Sequence, residues 1–243
     1  MTVVQIILII LAAVCGGGTA WLLRNKTHSQ FLNILLSFSG AYLLGVVVIH
    51  LLPDVFNNST SGSQPALFIL LGFFIQLLIV QLTRGIEHGH MHLHEHLSNN
   101  YVSGVVFGLS IHAFLEGIPL AAENISHDQV QPLFWGIFVH KFPETFALAT
   151  VLFFSFKKST TAAIFIILFS LMTPLGNFLG KYLTEESLSH NINWLIAIVC
   201  GTLIHISTTI IFEASGKAHK ISIYKFLAIL AGAGISLLTI HTH

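Results

Sequence analysis

The stretch "GIFVHKFPETFALATVLFF", residues 136–154, decides what kind of protein this is. Its flanks are hydrocarbon-like, yet His140, Lys141 and Glu144 stand within five residues of one another. An apolar run of this length reads as a membrane span, because roughly 20 apolar residues cross the hydrocarbon core as a helix. An ionised side chain at the centre of such a helix costs about 2.5–3.5 kcal/mol on insertion scales. Polar groups kept there against that cost point to a site.

The composition agrees with the membrane reading. The chain has 243 residues, of which 54% are hydrophobic and 8% charged, and its mean hydropathy is +0.82. Soluble domains carry about 25% charged residues. Lys+Arg 10 balances Asp+Glu 10, so no basic excess suggests nucleic acid. Cys15 and Cys200 lie in separate apolar runs without CxxC spacing, which argues against a disulfide or thiolate metal framework. The first run, residues 3–23, is too long for a signal-peptide core and lacks a cleavage motif, so it reads as a retained helix.

Eight apolar runs are long enough to span, at 3–23, 31–52, 65–83, 101–122, 130–156, 159–181, 191–213 and 222–241. Their connectors are short and polar, with turn-forming residues. The expected fold is therefore an all-α integral membrane protein of eight transmembrane helices, one domain over residues 1–243. Orientation follows from the cations. Arg24, Lys26, Arg84, Lys157, Lys158, Lys217, Lys220 and Lys225 fall at the connectors after helices 1, 3, 5 and 7. The other connectors hold only Lys181, beside Glu185 and Glu186. The positive-inside rule puts both termini outside, in a cell membrane (plasma or inner).

Helix 4 repeats the pattern of helix 5. "GLSIHAFLEGIPLAAE", residues 108–123, spaces His112 and Glu116 four apart, as His140 and Glu144 are on helix 5. Residues at i and i+4 share a helix face, and both pairs lie near mid-helix. Two imidazoles and two carboxylates at one depth suit Zn²⁺, with Fe²⁺, Mn²⁺, Co²⁺ or Cd²⁺ as competitors. Pro119 and Pro143 lie close by, and a proline frees a backbone carbonyl and bends a helix. The plain alternative is that each glutamate pairs with a histidine or with Lys141 to join two helices. Weaker signals are His50 and Asp54, an i, i+4 pair at the outer end of helix 2, and His205 and Glu213 on helix 7. The connector after helix 3 alternates His88, His90, His92, His94 and His96 with other residues, a metal-capturing composition.

These motifs resemble the ZIP (Zrt/Irt-like) family of divalent metal transporters along nearly the whole chain. "HLLPD" stands in helix 2, then the His-rich connector, "HAFLEG" in helix 4, "HKFPE" in helix 5, "TPLGNFLG" in helix 6 and "FEAS" ending helix 7. The resemblance implies a 3+2+3 bundle with inverted repeats flanking helices 4 and 5. It also implies metal uptake into the cytoplasm by alternating access, with His112, Glu116, His140 and Glu144 as the principal metal site. Many relatives hold a second metal, using residues that correspond here to Ala113, Lys141 and Thr173. All three remove a ligand and one adds a positive charge. One metal is therefore expected at the midplane, with Lys141 in place of a second and paired with Glu116 or Glu144 when no metal is bound.

The function expected is divalent metal transport, zinc first. Metal would enter past His50 and Asp54 and leave toward His205, Glu213 and the loop histidines at 88–96. The partners are the metal ion and the lipid bilayer, with no organic cofactor and no nucleic acid, and a homodimer is open to such a chain. Two other classes compete. An intramembrane zinc hydrolase would need three ligands and an open position for water. The chain has no HExxH ("HEHLS" at 94 lacks the second histidine), and "GLSIH" is not a nucleophile elbow. A membrane protein that binds metal without moving it is the other.

Overall fold

In hydrocarbon a chain must satisfy its backbone polar groups within each span, which favours helix throughout. The computed structural model describes residues 1–24, 29–59, 61–83, 85–86, 97–124, 127–185, 189–213 and 222–238. Among these there is no strand. The first three spans are α1 (Val3–Leu23), α2 (Ser29–Val46, prolonged by π-helical Val47–Leu51 and α-helical Leu52–Asn57) and α3 (Ser63–Thr83). Next come α4 (Asn99–Gly117), α5 (His127–Ser155) and α6 (Ser159–Ser170 with Met172–Glu185). The last two are α7 (Ser189–Glu213) and α8 (Ile223–Leu238). Seven are long and apolar enough to cross a membrane, and the described part of α8 is a shorter apolar helix. Leu22, Leu78, Phe178 and Phe212 are largely exposed, the inverse of a soluble protein's surface. The protein is an all-α integral membrane protein.

Helix ends depart from the hydropathy boundaries where local chemistry intervenes. At α1, Thr2 Oγ1 accepts from the Gln5 amide while Gln5 Oε1 accepts from the Thr2 amide, a reciprocal cap. The second span was expected to end at residue 52, before Pro53. It continues to Asn57 because the chain widens into a π turn, in which the Leu52 N–H reaches the Val47 carbonyl. Pro53 then falls in the first turn of the next segment, where a missing N–H is tolerated. Pro174 acts similarly in α6. With no N–H to give to Ser170, the helix breaks at Leu171 and restarts at Met172.

The closest helix pairings are α1 with α5, α2 with α8, α3 with α7 and α4 with α6. The α4–α6 crossing depends on small residues. A Cβ on Gly176 would collide with the Phe114 carbonyl, and one on Gly117 with the Thr173 carbonyl. At the α1–α5 crossing, Gly16 lies against the Phe142 carbonyl.

Two apolar clusters fill the bundle. One gathers Tyr101–Leu109 side chains of α4 with Phe146–Leu152 of α5, and the other gathers Leu120 with Val130–Ile137. Along α5, His140, Lys141 and Glu144 fall between the two clusters; on the α4 side, Glu116 falls between Ala113 of the first and Leu120 of the second, with His112 beside Ala113. The polar residues are thus sealed from both ends by packed hydrocarbon.

Candidate metal centre

Each polar position follows from helical spacing on a sealed face. His112 and Glu116 lie one turn apart on α4, and His140, Lys141 and Glu144 share one turn of α5. None of the five exposes more than 1% of its surface. His112 Nε2 approaches Glu116 Oε1 to 2.8 Å. This is ion-pair distance, although the geometry falls short of an aligned hydrogen bond, so the imidazole and the carboxylate hold each other along α4. The His112 and His140 rings meet edge to face, with centroids 6.2 Å apart at 85°. His112, Glu116 and His140 each offer a ligand atom within 4.8 Å of the others.

Glu144 stands outside that trio. Its Oε2 accepts from Lys141 Nζ at 2.7 Å, and the same ammonium donates to Glu116 Oε2 at 3.0 Å. Lys141 Nζ also sits 5.4 Å from the centroid of the Phe169 ring, an arrangement that favours a buried cation. Lys141 therefore touches both carboxylates at once, where the sequence reading expected one or the other. Among the described residues, Glu144 Oε1 has no hydrogen-bond partner, and Glu116 Oε1 has only the contact with His112. Among the described residues, His112 Nδ1 and His140 Nε2 likewise have no hydrogen-bond partner.

Chemically, the arrangement gathers buried nitrogen and oxygen donors of the kind that bind divalent cations. Zinc bonds to such atoms at about 2.0–2.1 Å, which places neighbouring ligands roughly 3.4 Å apart. Of the positions expected to close a second site, Ala113 is buried without a donor atom, and Thr173 is buried with its carbonyl against Gly117.

The remaining candidates are scattered. His50 lies in the π turn of α2, and Asp54 Oδ1 accepts from Asn58 Nδ2 at 2.6 Å. His205 packs edge-on to Phe73, centroids 4.7 Å apart. None of the three joins the trio. The side chain of Glu213 and residues His88, His90, His92, His94 and His96 lie outside the described residues. Two neighbours of the site escaped the sequence reading, Phe169 beneath Lys141 and Ser39 beside His140. Each is an ordinary residue in another apolar run, with no local pattern that could have pointed to it.

The family model described as ZIP Zinc transporter matches residues 90–239. That is more than half of the chain and takes in α4 to the end of α8; α1–α3, with "HLLPD", lie outside the matched stretch. No curated protein matches the chain. A family of transporters rather than enzymes, several membrane-length helices and a buried histidine–carboxylate group agree with one another. The chain belongs to the ZIP zinc transporter family and is a divalent metal transporter.

Proposed function

We propose that the protein carries one divalent cation at a time, zinc by preference, toward the cytoplasm by alternating access, with His112, Glu116, His140 and Glu144 as its ligands. One observation carries the site. Among the described residues, His112 Nδ1, His140 Nε2 and Glu144 Oε1 are buried without hydrogen-bond partners and Glu116 Oε1 meets only His112, whereas buried polar atoms in folded proteins are nearly always paired. A purely structural ion pair would account for Lys141 between two carboxylates. It would not account for two unpartnered imidazole faces beside them.

The mixed imidazole–carboxylate set favours zinc over harder cations. The occluding apolar clusters on either side suit a carrier caught between its two openings. In this reading both termini face outward in a cell membrane, and the whole chain forms one domain. Metal enters past His50 and Asp54 and leaves past His205 and Glu213 to the histidine-rich loop. A second copy could cover the apolar outer face of α3, where Leu67, Leu70 and Leu78 are exposed. Lys141 fills the place of a second metal.

The test is uptake into proteoliposomes, comparing zinc, iron, manganese, cobalt and cadmium for the wild type and for Glu116→Ala and Glu144→Ala. Zinc uptake lost in both variants supports the reading. Normal uptake in both would remove the site assignment. Binding without flux in the wild type would remove transport by this route.

A further inference from the structure

We propose that Ser39, on α2, is a positioning residue for the metal site, holding His140 in the tautomer that leaves Nε2 free to ligate. The inference rests on the metal-site reading above and extends it to a helix that carries none of the four ligands.

The packing of α2 on α5 sets up the contact. Gly136, one turn before His140, lies against Tyr42 and Leu43, and a Cβ there would come within 2.8 Å of Leu43 Cδ2. The small residue lets the two helices approach, and their antiparallel register then carries His140 onto Ser39. Both side chains are fully buried. Ser39 Oγ stands 3.1 Å from the Leu36 carbonyl and 3.4 Å from His140 Nδ1.

The single hydroxyl proton decides the roles. A carbonyl can only accept, so the proton of Ser39 goes to Leu36 O, the usual back-bond of a helical serine. The lone pairs of Oγ are then what faces His140. An acceptor at that point calls for a proton on Nδ1, and a neutral imidazole protonated on Nδ1 has its lone pair on Nε2. Nε2 is the nitrogen without a hydrogen-bond partner. Were Ser39 to donate to Nδ1 instead, the ring proton would sit on Nε2 and block ligation. At 3.4 Å the contact is long for a hydrogen bond, and a shift of a few tenths of an ångström closes it. His112 makes its contact within α4, Nε2 to Glu116 Oε1 at 2.8 Å, and its Nδ1 has no hydrogen-bond partner among the described residues. Of the two histidines, His140 is the one with an orienting contact from another helix, of the kind that metal-bound histidines use.

The test uses the full chain with the five loop histidines replaced by serine, so that zinc binding reports the buried site. Zinc affinity is measured by competition with a chromophoric chelator for the parent, Ser39→Ala, Ser39→Thr and His140→Ala. Ser39→Ala is expected to weaken zinc by about 10–100-fold with an unchanged melting temperature in chelator. Ser39→Thr, which keeps the hydroxyl, should stay within about threefold of the parent. The ¹⁵N signals of His140 in the metal-free parent, assigned by their loss in His140→Ala, should report the Nδ1–H tautomer. Parent-like affinity in Ser39→Ala, or an Nε2–H tautomer at His140, would overturn the proposal. If His140→Ala also binds zinc like the parent, the metal-site reading itself fails. If His140→Ala loses zinc while Ser39→Ala does not, only the role of Ser39 is lost.

Discussion

Replacing Lys141 by methionine keeps most of the side chain's volume and removes its charge. In the metal-free protein Glu116 and Glu144 contribute −2 and the ammonium returns the cluster to −1. The variant leaves both carboxylates fully buried, without the cation that stands 3.0 and 2.7 Å from them. Removing one partner of a buried ion pair typically costs about 3–5 kcal/mol, mostly from the uncompensated charge left behind. For a chain of this size each kcal/mol moves a melting temperature by roughly 2–4 °C. Metal-free Lys141→Met should therefore melt about 6–20 °C below the wild type. Zinc reverses the balance. Bound to the wild type it brings the cluster to +1, and bound to the variant it gives 0. The variant should recover most of the lost stability on adding zinc, and should bind zinc up to about two to three orders of magnitude more tightly. Tighter binding should also slow release and lower the maximal rate of uptake. The assay is thermal unfolding in lipid nanodiscs, in chelator and in saturating zinc, beside a zinc titration. A metal-free melting temperature equal to the wild type's, with unchanged zinc affinity, would refute the view that Lys141 is the counter-ion of the empty site.

Other outcomes follow from the same geometry. Glu116→Ala and Glu144→Ala should insert normally and lose at least about tenfold in zinc uptake, since each removes a charged ligand (a tenfold change being about 1.4 kcal/mol); uptake assays on matched protein amounts check this. Changing His88, His90, His92, His94 and His96 together to serine should leave substantial flux and strip weakly held metal only. Complete loss of flux in an inserted variant would contradict that modulating role. Lys141→Asp should raise the midplane stoichiometry from one metal to two in the loop-serine background. A stoichiometry that stays at one would assign the closed second position to Ala113 and Thr173. Gly176→Val should destabilise the α4–α6 crossing by at least about 1–3 kcal/mol, because the added Cβ meets the Phe114 carbonyl; a melting curve within a degree of the wild type would rule out that close approach.

Helix number and placement were legible because the bilayer imposes one simple rule on every span. The ends were less so. Hydropathy places Pro53 and Pro174 at boundaries or inside runs without saying how the backbone will respond. At Pro53 the response is a π turn that carries α2 on to Asn57, and at Pro174 it is a break at Leu171. Which one occurs depends on whether the proline can be placed in the first turn of a new segment, and on the neighbours that accept the altered carbonyls. Those neighbours come from other helices, and no local window of sequence contains them.

The candidate site divides in the same way. His112 with Glu116, and His140 with Glu144, could be found because charged groups in hydrocarbon are costly and their i, i+4 spacing is visible in one dimension. The partition among them could not. Spacing treats the two glutamates as equivalent, yet only Glu116 joins the two histidines within 4.8 Å, while Glu144 is turned to the lysine three residues before it. Lys141 divides them because it follows His140 directly and so points about 100° away around the helix. From there its long side chain reaches across to α4 as well as along α5. The supporting contacts were the least legible of all. Ser39 lies about a hundred residues from His140 in the chain, joined to it by the helix register that Gly136 allows. A serine in an apolar helix commonly satisfies its own hydroxyl on the preceding turn, as Ser37 and Ser170 do here, so nothing in its surroundings marks the one that meets His140. The residues that can touch a cation are conspicuous by their cost in the membrane, and those that aim them are cheap there. Sequence alone therefore finds the first kind and passes over the second.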